Sequence, residues 1–384
     1  MLGAYRETLR LLEIIGVNEN EVFDRHTLKL RMYQAGHPDT RLTFPRLPAP
    51  LHVIFGIALA DGLSLDDRWR ALKMCISLIS PTRRIVPDIS VYAFLKRKGQ
   101  GDKVIATLWQ PLCLAILNTP IDTASAEIFI RSIKDAFARK RSDSDLLYTR
   151  ANLGNILPDP ARRYIHQQGG VVKLRHRVTR LLIGSDKITG VELSNGTIME
   201  TEHVILAVPP LICKKLLEPH QTMNRISEKL ARLDHAPICT VYIQYPPVTR
   251  LSLPMIGLIG TTAQWIFDRG FYNRPGLMAV VISSNGPHMQ MDNDALCKRV
   301  ISEISGVFPA WPDPVESYVV REKMATFLCR TNINTIRPAT VTPVSGCLLA
   351  GDFTATDYPA TLEGAVRSGV KAAQLIINSY GKAN

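Results

Sequence analysis

The chain is expected to fold as an α/β protein of mixed α+β character, and three observations predict this. The first 150 or so residues carry apolar positions at helical spacing. Short β-type runs, broken by Pro and Gly turns, crowd the stretch that follows. Near the end, the apolar run Cys347-Leu348-Leu349-Ala350 reads through Gly351-Asp352 and a polar loop into a helix.

Taken in order, residues 3–16 place apolar side chains at helical spacing and stop at Gly16, which predicts a helix with no strand before it. Residues 41–63 alternate Pro with apolar residues, so a continuous helix is expected only from about Leu51. That segment suits a membrane-facing or substrate-entrance role, or plain core packing. Residues 64–80 read as a helix capped by Ser64, with Asp66 and Asp67 against the positive end of its dipole. Two more helices are expected at 108–118 and 123–139, separated by Thr119-Pro120.

A helix at 158–168 ends at Gly169-Gly170, and strands are then expected at 171–174, 178–183, 190–193 and 204–208. Ser185-Asp186 and Asn195-Gly196 are the turns of a small meander. Runs at 238–245, 263–268 and 277–283 suggest a mixed sheet, followed by a helix at 292–307 and a strand at 315–323. In the last helix, positions 362, 365, 366, 369, 373, 376 and 377 form an apolar face, with Pro359 and Thr361 as start signals. Gly364, Ala365 and Gly369 keep that face thin enough for close approach to a sheet.

The 384 residues are enough for two domains, and 46% hydrophobic with 21% charged residues excludes a disordered chain. No apolar stretch reaches the length of a spanning helix, and no secretory leader follows Met1. Seven scattered cysteines without a C-x-x-C read as reduced core residues of a cytoplasmic protein. Nine histidines without close pairing give no metal site. The net charge of +12 is dispersed and accompanies no nucleic-acid motif, so no nucleic-acid partner is expected. An anionic membrane surface, contacted peripherally at the inner face, or an ordinary solvated basic surface accounts for the charge.

A strand ending in Gly-Asp before an open helix N terminus suits a ligand with hydroxyls and partial negative charge. The order LAGD, loop, P-x-T-x-E-G-A-x-x-S-G resembles the C-terminal flavin signature of the amine oxidase and phytoene desaturase superfamily. That resemblance implies FAD as cofactor and a two-dinucleotide-domain flavoprotein fold. It implies that Asp352, after Gly351, meets the ribityl-pyrophosphate region, and that backbone N–H groups at Thr361 and Leu362, ahead of Glu363, meet the flavin C2 carbonyl. The meander resembles the insertion of such proteins, which implies a backbone contact from Val178 to the adenine end.

No G-x-G-x-x-G occurs in the sequence. The resemblance therefore leads us to expect that a leading βαβ unit, roughly 30–60 residues long, is missing. It also organises the chain into a helix-rich substrate region at 1–154, an FAD-binding segment at 155–212, a substrate-domain sheet at 213–338 and a C-terminal FAD-binding unit at 339–384.

Four stretches narrow the resemblance: LGAYRET at 2–8, LWQPL to NTP at 108–120, QWIFDRG at 264–270 and YPATLEG at 358–364. Together they resemble the squalene-associated FAD-dependent desaturases regarded as hydroxysqualene dehydroxylases. The activity implied is reduction of hydroxysqualene to squalene by reduced FAD, on a long-chain isoprenoid held in an apolar tunnel. Trp109, Trp265 and Phe267 are candidate substrate contacts. Asp268 and Asp357 are candidate acids for the leaving hydroxyl; an Asp268–Arg269 ion pair and a turn-stabilising Asp357 are the plainer alternatives. Trp265 and Phe267 share one face of a strand and Asp268 points to the other. A carotenoid-type desaturase and a non-catalytic chain that binds isoprenoid or a partner are the competing readings.

Overall fold

A computed structural model describes residues 1–79 and 87–380. Two compact units are present: residues 1–4, 24–150 and 235–331 form the first, and residues 5–23, 151–234 and 332–384 the second. The segments expected from the sequence run across this division, because residues 5–23 and 213–234 group with the C-terminal elements.

The first unit is built on a seven-stranded sheet in the order Glu316–Phe327, His235–Gln244, Leu277–Ser283, Trp265–Asp268, Met255–Leu258, Lys29–Tyr33, Thr40–Thr43. All neighbours are antiparallel except Met255–Leu258 with Lys29–Tyr33, so the sheet is mixed, as expected. Side chains alternate across it. Cys239, Val241, Ile243, Ile256, Ile266, Val280 and Ile282 pack on Leu296, Val300 and Ile304 of the helix Asn293–Val307. The opposite parity, with Met32, Gly257 and Trp265, forms the other face. A Cβ on Gly257 would stand 2.4 Å from the Met32 sulfur and 3.2 Å from the Trp265 ring, so glycine is what lets these side chains close over the strand.

Besides Asn293–Val307, the longer helices among the described residues of this unit include Leu51–Ala58, Leu65–Ile79, Val91–Arg97, Gln110–Leu117 and Ala126–Phe137. Ser64 caps the second of them by accepting a hydrogen bond from the Asp67 amide at 3.1 Å. The expected last residue of that helix, Ser80, lies outside the described residues. The first half is mostly helical, as expected, but the strands Phe23–His26, Lys29–Tyr33 and Thr40–Thr43 within it were not foreseen. Their alternation carries Arg, Lys and His on the outward positions, which hides the β pattern.

The helix break at Asn118 is tied to the sheet. Asn118 adopts φ +47°, and its amide donates to the Pro237 carbonyl at 3.2 Å and Thr326 Oγ1 at 2.9 Å. Its Oδ1 accepts from the Ser284 amide at 2.6 Å. Neighbouring Thr119 accepts from the Cys329 amide through its hydroxyl at 2.9 Å.

In the second unit, Val178–Gly184, Lys187–Leu193 and Ile198–Glu200 form the meander. The expected strand at 171–174 is instead irregular, and Ile198–Glu200 supplies the third strand. Ser185 and Asp186 both have positive φ, which makes the first turn. Val204–Leu206 pairs in parallel with Cys347–Leu349, as the return to a parallel sheet requires. The helix Leu362–Tyr380 packs on Arg6–Ile14 and on the Cys347–Leu349 strand. Residues 381–384 of the expected C-terminal unit lie outside the described residues.

Candidate flavin and substrate sites

Gly351, Asp352, Asp357, Thr361, Leu362 and Glu363 come together on one strand-loop-helix of the second unit. Gly351 has φ +146°, and a Cβ there would sit 2.4 Å from the Phe353 ring, so the turn after the strand demands glycine. Gly364 serves close approach: its Cβ would lie 2.8 Å from the Pro359 carbonyl oxygen. Gly369, expected to do the same, meets nothing within 4 Å.

The loop is held from inside by Arg337, a residue that sequence reasoning missed. Its guanidinium is buried and donates to the carbonyls of Asp352 at 2.7 Å and Tyr358 at 2.8 Å, and to Thr356 Oγ1 at 2.7 Å. An isolated arginine after a short helix carries no local signal that it will be buried. Thr361 caps the helix by accepting from the Gly364 amide at 3.1 Å. The earlier amides at a helix start have no intrahelical partner.

Glu363 is fully buried. Its carboxylate accepts from the Thr8 amide at 3.0 Å, Thr8 Oγ1 at 2.8 Å, the Glu7 amide at 3.2 Å and Arg367 Nε at 2.9 Å. These contacts lock the first helix of the unit to the last. They also turn Glu363, Gly364, Ser368 and Ala372 inward. The apolar face expected at 362, 365, 366, 369, 373, 376 and 377 is corrected in part: Leu362, Ala373 and Ile377 are exposed, whereas 365, 366, 369 and 376 are half-buried. Tyr5, beside Thr361, has its pKa pushed up to about 12 by burial.

Val178 opens the meander, paired across from Leu193, in the same unit as the loop. Asp357 is exposed at φ +55°. The loop thus combines a glycine that the backbone demands at 351, a helix N terminus at 362 and an Asp352 carbonyl held inward by Arg337.

Trp109, Trp265, Phe267 and Asp268 belong to the first unit. Trp109 closes a π-helical turn, Ile105–Trp109, and donates from Nε1 to Gln100 Oε1 at 2.9 Å. Its ring lines a small apolar cavity of about 50 Å³, with Leu30, Leu42, Phe44, Ile57 and Leu108 among the walls. That volume is well below the roughly 300–1,000 Å³ of preformed ligand sites, so these walls are closely packed as they stand. Lys134 is the charged side chain in this lining, and desolvation, with the nearby Arg131 charge, lowers its pKa. It too was missed, because one lysine on an amphipathic helix reads as surface. Trp265 is buried on the Met32–Gly257 side and Phe267 is half-buried. Asp268 is fully buried, with Oδ2 accepting from the Leu251 amide at 2.9 Å and Oδ1 from the Gly270 amide at 2.7 Å. That is the geometry of a backbone cap.

All seven cysteines are buried and free. Among the described residues there is no cluster of metal-ligating side chains, and no helix is long and apolar enough to cross a membrane.

Comparison with known proteins completes the picture. Hydroxysqualene dehydroxylase of Sinorhizobium fredii is 28% identical over 318 residues, a match covering 77% of this chain and 71% of that protein. Zeta-carotene desaturase of Synechocystis is 26% identical, covering 99% of this chain and 86% of that protein. The crystal structure of cyclohexylamine oxidase from Brevibacterium oxydans shares the fold, with a TM-score of 0.65 at 14% identity over 98% of this chain and 86% of that one. The family model described as flavin containing amine oxidoreductase matches residues 1–377. The chain belongs to the flavin containing amine oxidoreductase family, whose description implies a flavin cofactor.

Proposed function

We propose that the protein is an FAD-dependent oxidoreductase that reduces hydroxysqualene to squalene. The observation that carries this reading is the flavin-type strand-loop-helix, in a chain that is similar to hydroxysqualene dehydroxylases and also holds a small, almost wholly apolar cavity.

Gly351 and the Arg337-braced loop shape the cofactor cradle, and Asp352 takes the hydroxyl-bearing part of FAD. When FAD is bound, the amides at Thr361 and Leu362 would hold the flavin and Val178 the adenine end. Glu363 acts through the first helix, as a positioning residue. Reduced FAD supplies the hydride when it is bound. In the substrate one carbon–oxygen bond breaks, one carbon–hydrogen bond forms, and the hydroxyl leaves as water with one added proton.

The apolar walls, Trp109 among them, exclude water and align the isoprenoid chain, with Trp265 and Phe267 as further contacts. Lys134, on the cavity lining and with its pKa lowered by desolvation, is our candidate proton donor. Asp357, exposed on the cofactor loop, is the second candidate donor. Asp268, with both oxygens engaged by backbone amides, shapes the strand end.

The test is anaerobic turnover of hydroxysqualene by the purified chain supplied with FAD and a chemical reductant, with products read by mass spectrometry. Squalene as product supports the proposal. A more unsaturated polyene made from a phytoene-like precursor, with no squalene from hydroxysqualene, would replace it with a desaturase.

A further inference from the structure

The helix Leu51–Ala58 contains no charged residue, and a helix apolar on every side is normally buried on every side. Only one side of it is. His52, Val53, Gly56 and Ile57 face the core, whereas Leu51, Phe55 and the capping Leu59 are 44%, 46% and 70% exposed. The next helix, Leu65–Ile79, repeats the anomaly. Ala71, Met74, Cys75 and Leu78 are buried. On its other side, at about 100° per residue, Leu65, Trp69, Leu72 and Ile76 form one stripe, in which Leu65, Trp69 and Ile76 are 81%, 57% and 55% exposed. A surface helix ordinarily carries polar residues there.

The two helices make one surface. Arg68 joins them by donating to the carbonyls of Ala58 at 3.2 Å and Leu63 at 3.1 Å. The rim is basic on balance: Asp66 pairs with Arg70 and Asp102 with Lys96, both at 2.7 Å, while Lys73 lies over the Trp69 ring at 5.1 Å and Arg97 and Lys98 add further charge. Arg70 donates to the Gly99 carbonyl at 3.1 Å, which brings the run Lys96-Arg97-Lys98 alongside. The inner faces of the same helices, through Val53, Ile54, Ile57, Cys75 and Leu78, line the apolar cavity.

We propose that the outer faces of Leu51–Ala58 and Leu65–Ile79 dock the protein on an anionic phospholipid surface, so that the cavity beneath fills from the membrane. Apolar anchors with an interfacial tryptophan and a lysine rim are the chemistry of a helix lying in a headgroup layer. The rim and the +12 net charge select anionic lipid over a neutral partner. The proposal rests on the isoprenoid reading of the cavity for its purpose, but its physical claim is separate.

The experiment is vesicle co-sedimentation of the purified chain at low salt, with phosphatidylcholine alone and with added phosphatidylglycerol. Binding is expected with the anionic vesicles, weaker in high salt, and reduced roughly tenfold in a Leu65→Glu/Trp69→Glu variant. Val248→Glu, at an exposed apolar position elsewhere in the unit, should bind as the parent does. Circular dichroism checks that each variant is folded. No sedimentation of the parent with anionic vesicles, or equal binding by the double variant, overturns the proposal. So does a parent dimer that the double variant dissociates without any vesicle binding, since a second copy would then cover these faces. Turnover of detergent-dispersed hydroxysqualene separates the two claims: its absence in the parent counts against the proposed reaction, whatever the vesicles show.

Discussion

Glu363 shows how one buried carboxylate sets the phase of a helix. Its bonds to the Glu7 and Thr8 amides satisfy the start of the Arg6–Ile14 helix, and Arg367 balances its charge. Glu363→Ala should cost about 3 kcal/mol, because it removes several charged hydrogen bonds at once and leaves buried donors unpaired. Equilibrium urea unfolding measures this; a change under about 0.5 kcal/mol, the size of an ordinary surface substitution, would refute the locking role. Arg337→Ala should abolish flavin retention while the first unit keeps its fold, since the carbonyls of Asp352 and Tyr358 lose their internal donor. Retained FAD absorbance after gel filtration would show that the loop holds itself. His52 and His288 are buried, and desolvation, assisted by Arg141 and Arg321, lowers their pKa values. The unfolded chain therefore takes up protons that the folded imidazoles refuse. This contribution is level above about pH 6.5, and stability falls as the pH drops below it. A thermal melting series should show that fall, and His52→Gln with His288→Gln should flatten it between about pH 6.5 and 5.

At the scale of elements, strong local signals were legible and tertiary ones were not. The LAGD strand, the loop and the Thr361-capped helix follow from Gly, Pro and cap chemistry within twenty or so residues of each other. The same helix's buried face was misjudged, because a glutamate paired with residues more than 350 positions away, at Glu7 and Thr8, outweighs the apolar count. The strands at Phe23–His26 and Lys29–Tyr33 were hidden by their cationic outward positions, and Arg337 and Lys134 by being single charges among ordinary surroundings. Asn118, within the NTP stretch singled out from the sequence, proves to be a hub that binds three backbone or hydroxyl partners of the sheet. Asn118→Ala should cost about 2–4 kcal/mol by stranding the Ser284 amide and the Pro237 carbonyl and losing the left-handed cap. Chemical denaturation tests it, and an unchanged midpoint would contradict the hub.

At the scale of the whole molecule, one unit carries the Gly351 strand-loop-helix and the other the small apolar cavity. Ala138→Phe, on the cavity wall, should cut hydroxysqualene turnover at least about tenfold while FAD absorbance stays unchanged. A flavin-linked reduction makes a quantitative demand that neither a binding protein nor a desaturase meets. The decisive measurement is a single turnover: the flavin-loaded protein, reduced anaerobically, is mixed with hydroxysqualene, and flavin absorbance and squalene are followed together. The account predicts that oxidised flavin returns at the rate at which squalene appears, one for one. Flavin that stays reduced, with hydroxysqualene recovered intact, would contradict it.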